Sequence, residues 1–166
     1  MKSELVRLTE QLDHLAPNLP PTQFSLIEDC LKIIGLFKEP DHLSDYSFLV
    51  SPVAKAYEGF LKDFFYRLEV IDRYSYYSDR FRVGKTLNPA LRHKRFSIFR
   101  KLTEYHPEGE ILAQNLWDAW KFGRNEIFHY FPENIRKLTY TEAVERIGKI
   151  MVAMDQAVDF ESPHQH

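Results

Sequence analysis

The sequence predicts an all-α bundle, and three observations carry the prediction. Apolar residues recur at helical spacing along most of the chain. No stretch shows the sustained alternation of a β-sandwich. Turn-forming residues gather at a few breaks, notably "APNLPPT", "KEPDHLSD" and "HPEGE". The 166 residues suggest one domain, long enough to bury a core without disulfide staples. No repeat, low-complexity tract or second composition regime divides it. The expected organisation is an N-terminal helix and Pro-rich linker over 1–22, a helical domain over 23–160 and a disordered tail over 161–166.

The elements follow in order. Leu5, Leu8, Leu12 and Leu15 predict a helix over 2–15, broken by the prolines of "APNLPPT". Leu26, Ile27, Leu31, Ile34 and Phe37 predict the next over 24–37, followed by a loop through "KEPDHLSD". The short "YSFLV" reads equally as a strand or a helical turn. A third helix is expected from Ser51, a good N-cap, with Pro52 at the first helical position. Val53, Ala56, Tyr57, Phe60, Phe64 and Leu68 form its broad apolar face, widened by Leu61 and Phe65, which places it at the centre of the core. Residues 73–89, rich in Tyr, Ser and Arg, read as a long loop. A basic helix over 91–105 should turn Phe96, Phe99 and Leu102 inward. A long helix over 110–131, with Leu112, Leu116, Ala119, Phe122 and Ile127 in the core, should stop at Pro132. The last helix should begin at Thr141 and bury Val144, Ile147, Ile150, Met151 and Met154.

Hydrophobic residues make up 44% of the chain and charged residues 28%, the profile of a soluble globular protein. No run approaches a membrane span, and residues 1–12 are charged rather than signal-like, so the default expectation is a cytoplasmic protein. The single cysteine, Cys30, excludes an internal disulfide; beside Ile33 and Ile34 it reads as a small core residue rather than a nucleophile. Net charge is −2, but its distribution is uneven. Between Arg73 and Lys101 nine Lys/Arg face one acid, a local +8 that leaves −10 elsewhere. Such a band attracts phosphates, or forms a merely solvated face.

Several chemistries lack their parts. There is no Gly-rich phosphate loop and no Gly-x-Ser-x-Gly elbow. The seven histidines are scattered, with none at metal-ligand spacing on one helix, so neither a metal nor a cofactor is expected.

"FGRNEIFHYFP" is the stretch that stands out. Arg124 and His129 lie five residues apart, roughly 140° apart around a regular helix, so one copy of the chain does not bring them neatly together. Two copies facing each other could share a cleft built from both motifs. Histidine exchanges protons near neutral pH. Arginine presents a fixed charged fork to phosphate oxygens, and Asn125 can hydrogen-bond a phosphate or orient either partner. These groups suffice for metal-free RNA cleavage, in which the neighbouring 2′-OH attacks phosphorus and the building charge is stabilised electrostatically. A structural account competes: Arg124 stacking on Trp120 or Phe128, and His129 sitting at a helix C-terminus.

"RNEIFH" resembles the motif of the HEPN superfamily: Arg, a polar residue, three or more residues, then His, near the end of a late helix. The resemblance implies a HEPN-like helical bundle, metal-independent endoribonuclease activity in toxin–antitoxin, CRISPR or phage-defence systems, and a site formed at a homodimer interface. "SPVAKAYEGFLKDFF" resembles a helix of the C-terminal domain of RnlA-type toxins, the RNase LS family, and this likeness spans roughly residues 45–132. That family pairs an Asp and a Glu thirteen residues apart in support of the Arg/His pair. Asp45 and Glu58 have this spacing, so the resemblance implies that they orient Arg124 or His129. RnlA toxins carry further N-terminal domains, so the chain is expected to be a stand-alone relative or an isolated domain.

Both acids have structural alternatives: Glu58 four residues before Lys62 as a surface pair, and Asp45 as a turn or cap residue. The expected roles are then His129 as general acid/base, Arg124 as charge stabiliser and Asn125 as phosphate positioner. Arg80, Arg82, Lys85, Arg92, Lys94, Arg95 and Tyr130 are expected to hold RNA. Expected partners are RNA, a second copy of the chain through the Arg124–His129 helix, and an antitoxin or nucleotidyltransferase protein. The alternative is a non-catalytic HEPN-like interaction domain that binds such a protein.

Overall fold

The broad apolar face read from Val53 to Leu68 becomes the axis of the structure. In the computed structural model, which describes residues 2–37 and 43–161, helix α3 (Ser47–Arg67) runs through the core. It packs against α2 (Pro21–Leu36) and α8 (Tyr140–Glu161), and α1 (Lys2–Leu15) closes over both. On the other side lie α6 (Ile98–Tyr105) and α7 (Gly109–Trp120), packed on each other and, through α7, on α8. Two short helices, α4 (Arg73–Tyr77) and α5 (Val83–Leu87), pack on α3, and α5 bridges it to this pair. The fold is all-α: among the described residues there are eight α-helices and no strand.

Ten residues of α3 are buried, among them Tyr57, Phe60, Phe64 and Phe65. Tyr57 keeps its hydroxyl satisfied by donating to the Leu116 carbonyl of α7 at 2.9 Å, which ties the two halves of the bundle. Cys30 is buried on α2, its thiol donating to the Leu49 carbonyl, and burial pushes it up to about 12. It is a packing residue, inert as a nucleophile.

Besides α2, which starts at Pro21 rather than residue 24, the observed boundaries depart from the sequence reading at four places. Helix α3 begins at Ser47 rather than Ser51, so "YSFLV" is helical and Pro52 lies inside the helix. The N-cap is Tyr46; Asp45, one residue ahead of it, accepts from the Ser47 N–H at 2.8 Å and fixes the chain as it enters the helix. Residues 73–89 are not a continuous loop. Asp72 caps α4 by accepting from Ser75 N–H at 2.7 Å, and Val83 and Leu87 of α5 are buried. Five-residue helices carry too few turns for periodicity to register. The basic helix begins at Ile98, because Ser97 accepts from the Arg100 N–H and caps it there. Phe96 is therefore outside the helix and 41% exposed rather than inward. The helix expected over 110–131 ends as an α-helix at Trp120 and continues only as a single π-turn, Lys121–Asn125.

Two further termini show clear capping. Thr139 and Glu142 form a reciprocal capping box at the start of α8: Glu142 accepts from Thr139 N–H at 2.8 Å, and Thr139 Oγ1 accepts from Glu142 N–H at 3.2 Å. The C-terminus of α3 closes as a Schellman turn, with Val70 N–H bonding Phe65 O and Glu69 N–H bonding Tyr66 O, both at 3.0 Å. Glu69 occupies its left-handed position at φ 57°, where glycine is usual and another residue costs about 1–2 kcal/mol. Glu161, expected in the disordered tail, is the last residue of α8 and pairs with Arg67 at 2.7 Å. The rest of that tail, 162–166, lies outside the described residues.

Candidate functional site

The π-turn is where the main sequence motif resides. Glu126 N–H bonds Lys121 O at 3.1 Å, the five-residue step that widens the helix. Arg146 of α8 holds this turn from outside, donating to Phe122 O at 2.5 Å and to Glu126 at 3.3 Å. Phe122, expected in the core, is 39% exposed and lies under the cations of Arg146 and Lys149. Sequence reasoning missed Arg146, since no local signal links it to a turn more than twenty residues earlier.

Arg124 leaves the π-turn toward α3. Its Nε lies 3.0 Å from Oε2 of Glu58, so the structure brings these two expected site residues together. Its guanidinium also sits over Trp120, at 5.5 Å, and Phe128, at 5.9 Å. The fork is thus held by one charge and two rings. Trp120 is itself stacked on Trp117 at 5.6 Å. Its far edge lies against Gly84 of α5, where a Cβ would fall 2.1 Å from the ring; only glycine allows that approach. Lys62, the surface partner first considered for Glu58, instead reaches Ser78 O and the Phe81 ring.

Glu58, Arg124 and Phe128 form one wall of a cleft of about 460 Å³, completed by Leu26 of α2 and by Ser51, Pro52, Ala54 and Lys55 of α3. His129 stands beyond it, exposed in the bend after the π-turn rather than in the last turn of a helix. No hydrogen bond or ion pair to it is found among the described residues. Asn125 is half-buried within the π-turn, and Tyr130 is 79% exposed. A single copy therefore fixes Arg124 but leaves His129 and Tyr130 facing outward.

Asp45, expected to orient Arg124 or His129, bonds neither. It accepts from Ser47 N and Oγ, from Asn134 Nδ2 at 3.0 Å and from Leu138 N at 3.2 Å. The physical reason is its position just ahead of the α3 N-cap, beside the returning segment after Pro132, whose Leu138 carbonyl also accepts from Tyr46 N–H. Asp45 clamps the segment that follows His129. Burial raises its carboxyl, but these donors outweigh burial and bring it down to about 2. A group depressed in this way contributes stability above its unfolded value near pH 4 and loses it as pH falls toward 2. Asp45→Asn is expected to cost on the order of 1–2 kcal/mol at neutral pH. It should also flatten the acid limb of the helical circular-dichroism signal between pH 4 and 2. Superimposable acid curves for the two proteins would remove the clamp.

Arg80, Arg82, Lys85, Arg92, Lys94 and Arg95 are all exposed, on α5 and the turns around it. Arg82 bonds the Asp79 carbonyl, Lys85 lies over Phe96 at 5.0 Å, and Arg92 lies 3.8 Å from Glu110. They cluster in sequence around α5, whose Gly84 packs on the Trp120 ring. Among the described residues no three His, Cys, Asp or Glu gather as a metal site, and no helix is long and apolar enough to cross a membrane. The fold and site thus define an all-α bundle with an anchored arginine beside an exposed histidine. No family model, curated protein or solved structure matches the chain.

Proposed function

We propose that this chain is a metal-independent endoribonuclease of the HEPN type, acting as a homodimer in the cytoplasm and serving as the toxin of a toxin–antitoxin or phage-defence pair. The observation that carries the reading is the Arg124–Glu58 ion pair on the wall of the cleft, since Glu58 is one of the two acids that the RnlA resemblance sets in support of the Arg124/His129 pair. In the proposed reaction the 2′-OH attacks the adjacent phosphorus and the 5′-oxygen leaves, giving a 2′,3′-cyclic phosphate and a 5′-OH. One His129 takes the proton from the 2′-OH, and the His129 of a second copy protonates the leaving oxygen. Arg124, held by Glu58, offers its free N–H groups to the phosphoryl oxygens as charge builds. Asn125 positions the phosphate, and the basic surface around α5 holds the strand. An antitoxin or nucleotidyltransferase partner would restrain the activity.

Incubating the protein with RNA in EDTA tests this. Cleavage with cyclic phosphate ends, abolished in His129→Ala, is the expected result. Equal activity in wild type and variant would sink the reading.

A second reading has its own support. Phe128 (53%), Tyr130 (79%) and Ile135 (72%) are large exposed apolar residues around His129, as in a non-catalytic interaction domain. Growth arrest on expression that His129→Ala relieves favours the nuclease; arrest or its absence that is indifferent to the substitution favours the interaction domain.

A further inference from the structure

A larger cavity than the Arg124 cleft lies at another place in the fold. It has a volume of about 730 Å³ and sits at the C-terminal end of α3, enclosed by α4, α5 and α6. Tyr66, Phe81 and Phe96 line it, and Tyr66 and Phe96 each remain 41% exposed. Tyr66 already packs on Tyr76 at 5.0 Å, and the exposed remainder of Tyr66 and Phe96, set in a concave site, suits a flat ligand. Ammonium groups gather around those rings. Lys101, on the lining, donates to Val70 O at 2.5 Å and is held in place by it. Lys85 lies over Phe96 at 5.0 Å and Lys62 over Phe81 at 5.8 Å. At the exposed mouth, Glu69 and Asp72 supply carboxylate acceptors. Asp72 also accepts from the Ser75 N–H as the cap of α4.

A flat ring, an anionic end and hydrogen-bond donors on the ring edge together describe a nucleotide whose base carries an exocyclic amino group. We infer that this cavity is a nucleobase pocket, in which the base stacks among Tyr66, Phe81 and Phe96, its amino group donates to Glu69 or Asp72, and its phosphate lies toward Lys101. Adenine, guanine and cytosine carry such an amino group, and uracil offers only its ring N3–H. The strained backbone at Glu69 fits such a role: a left-handed position usual for glycine is occupied by a residue that brings a carboxylate to the mouth. The base comes from the RNA strand, an assignment that rests on the ribonuclease reading, or from a free nucleotide.

Binding is measured in His129→Ala protein, to exclude cleavage, with oligo-A and oligo-U RNA and with AMP and UMP. Oligo-A should bind more tightly than oligo-U. Tyr66→Ala and Phe96→Ala, checked for retained helical signal, should each weaken oligo-A binding about tenfold. Glu69→Gly should raise the melting temperature and reduce the preference for A over U. AMP binding as tightly as the strand assigns the pocket to a free nucleotide, and binding by the strand alone assigns it to the substrate. Unchanged affinity in both ring variants, or equal affinity for A and U, overturns the pocket. Cleavage by wild-type protein is scored separately. RNA cut normally with no effect of the ring variants rejects the pocket and keeps the nuclease. Ring-dependent binding without any cleavage keeps the pocket and rejects the nuclease.

Discussion

Replacing Gly109 with alanine should destabilise the protein by more than about 3 kcal/mol. Helix propensity points the other way, since alanine within a helix is favoured over glycine by about 1 kcal/mol. The close approach decides the sign. Gly109 is buried at the first residue of α7, and a Cβ there would fall 1.8 Å from the Leu102 carbonyl oxygen and 2.5 Å from its carbon. These are backbone atoms of α6, so no rotamer change relieves the clash; α6 and α7 must separate. Because α7 also anchors Tyr57 through Leu116, that separation reaches α3. Chemical denaturation of Gly109→Ala beside wild type reads the effect, and a change below about 1 kcal/mol would mean that the helices part at little cost.

Under the ribonuclease reading, Arg124→Ala should lower kcat for RNA cleavage by about 10²–10³-fold, the usual loss for one donor to a developing oxyanion. Stability should barely move. The Arg124 and Glu58 side chains are 42% and 34% exposed, and a pair this open contributes about 0–1 kcal/mol. Arg124→Lys keeps the charge but not the planar fork over Trp120 and Phe128, so it should recover only part of the activity. Glu58→Gln should cost about tenfold, in kcat rather than KM, because it loosens the arginine without touching substrate. The double variant Glu58→Gln/Arg124→Ala should be no worse than Arg124→Ala alone, the signature of two residues acting as a unit. Additive losses would assign Glu58 a separate role.

Several features were legible before any coordinates. Four leucines placed α1 over Lys2–Leu15, and Cys30 read as packing because its neighbours are apolar. The broad face of α3 marked it as the central helix, although it starts upstream, at Ser47, just after Asp45. Glu58 fell on the correct side of that helix to meet Arg124. The misplaced residues share a cause. Phe96 and Phe122 were expected inward because each continues an apolar period, yet each lies where the α-helix is not formed. Asp45 matched by spacing alone, and spacing along the chain does not report which segment returns to it.

The sequence by itself determined the class of the fold, the helix at its centre and the candidate chemistry of Arg124 and His129. Apolar period and residue type are local properties, readable one turn at a time. Only the tertiary structure decided where the long helix breaks, which acid holds Arg124 and what Asp45 clamps. Those outcomes depend on Arg146, Gly84 and Leu138 arriving from distant parts of the chain. A contact between segments far apart leaves no periodic trace in either one.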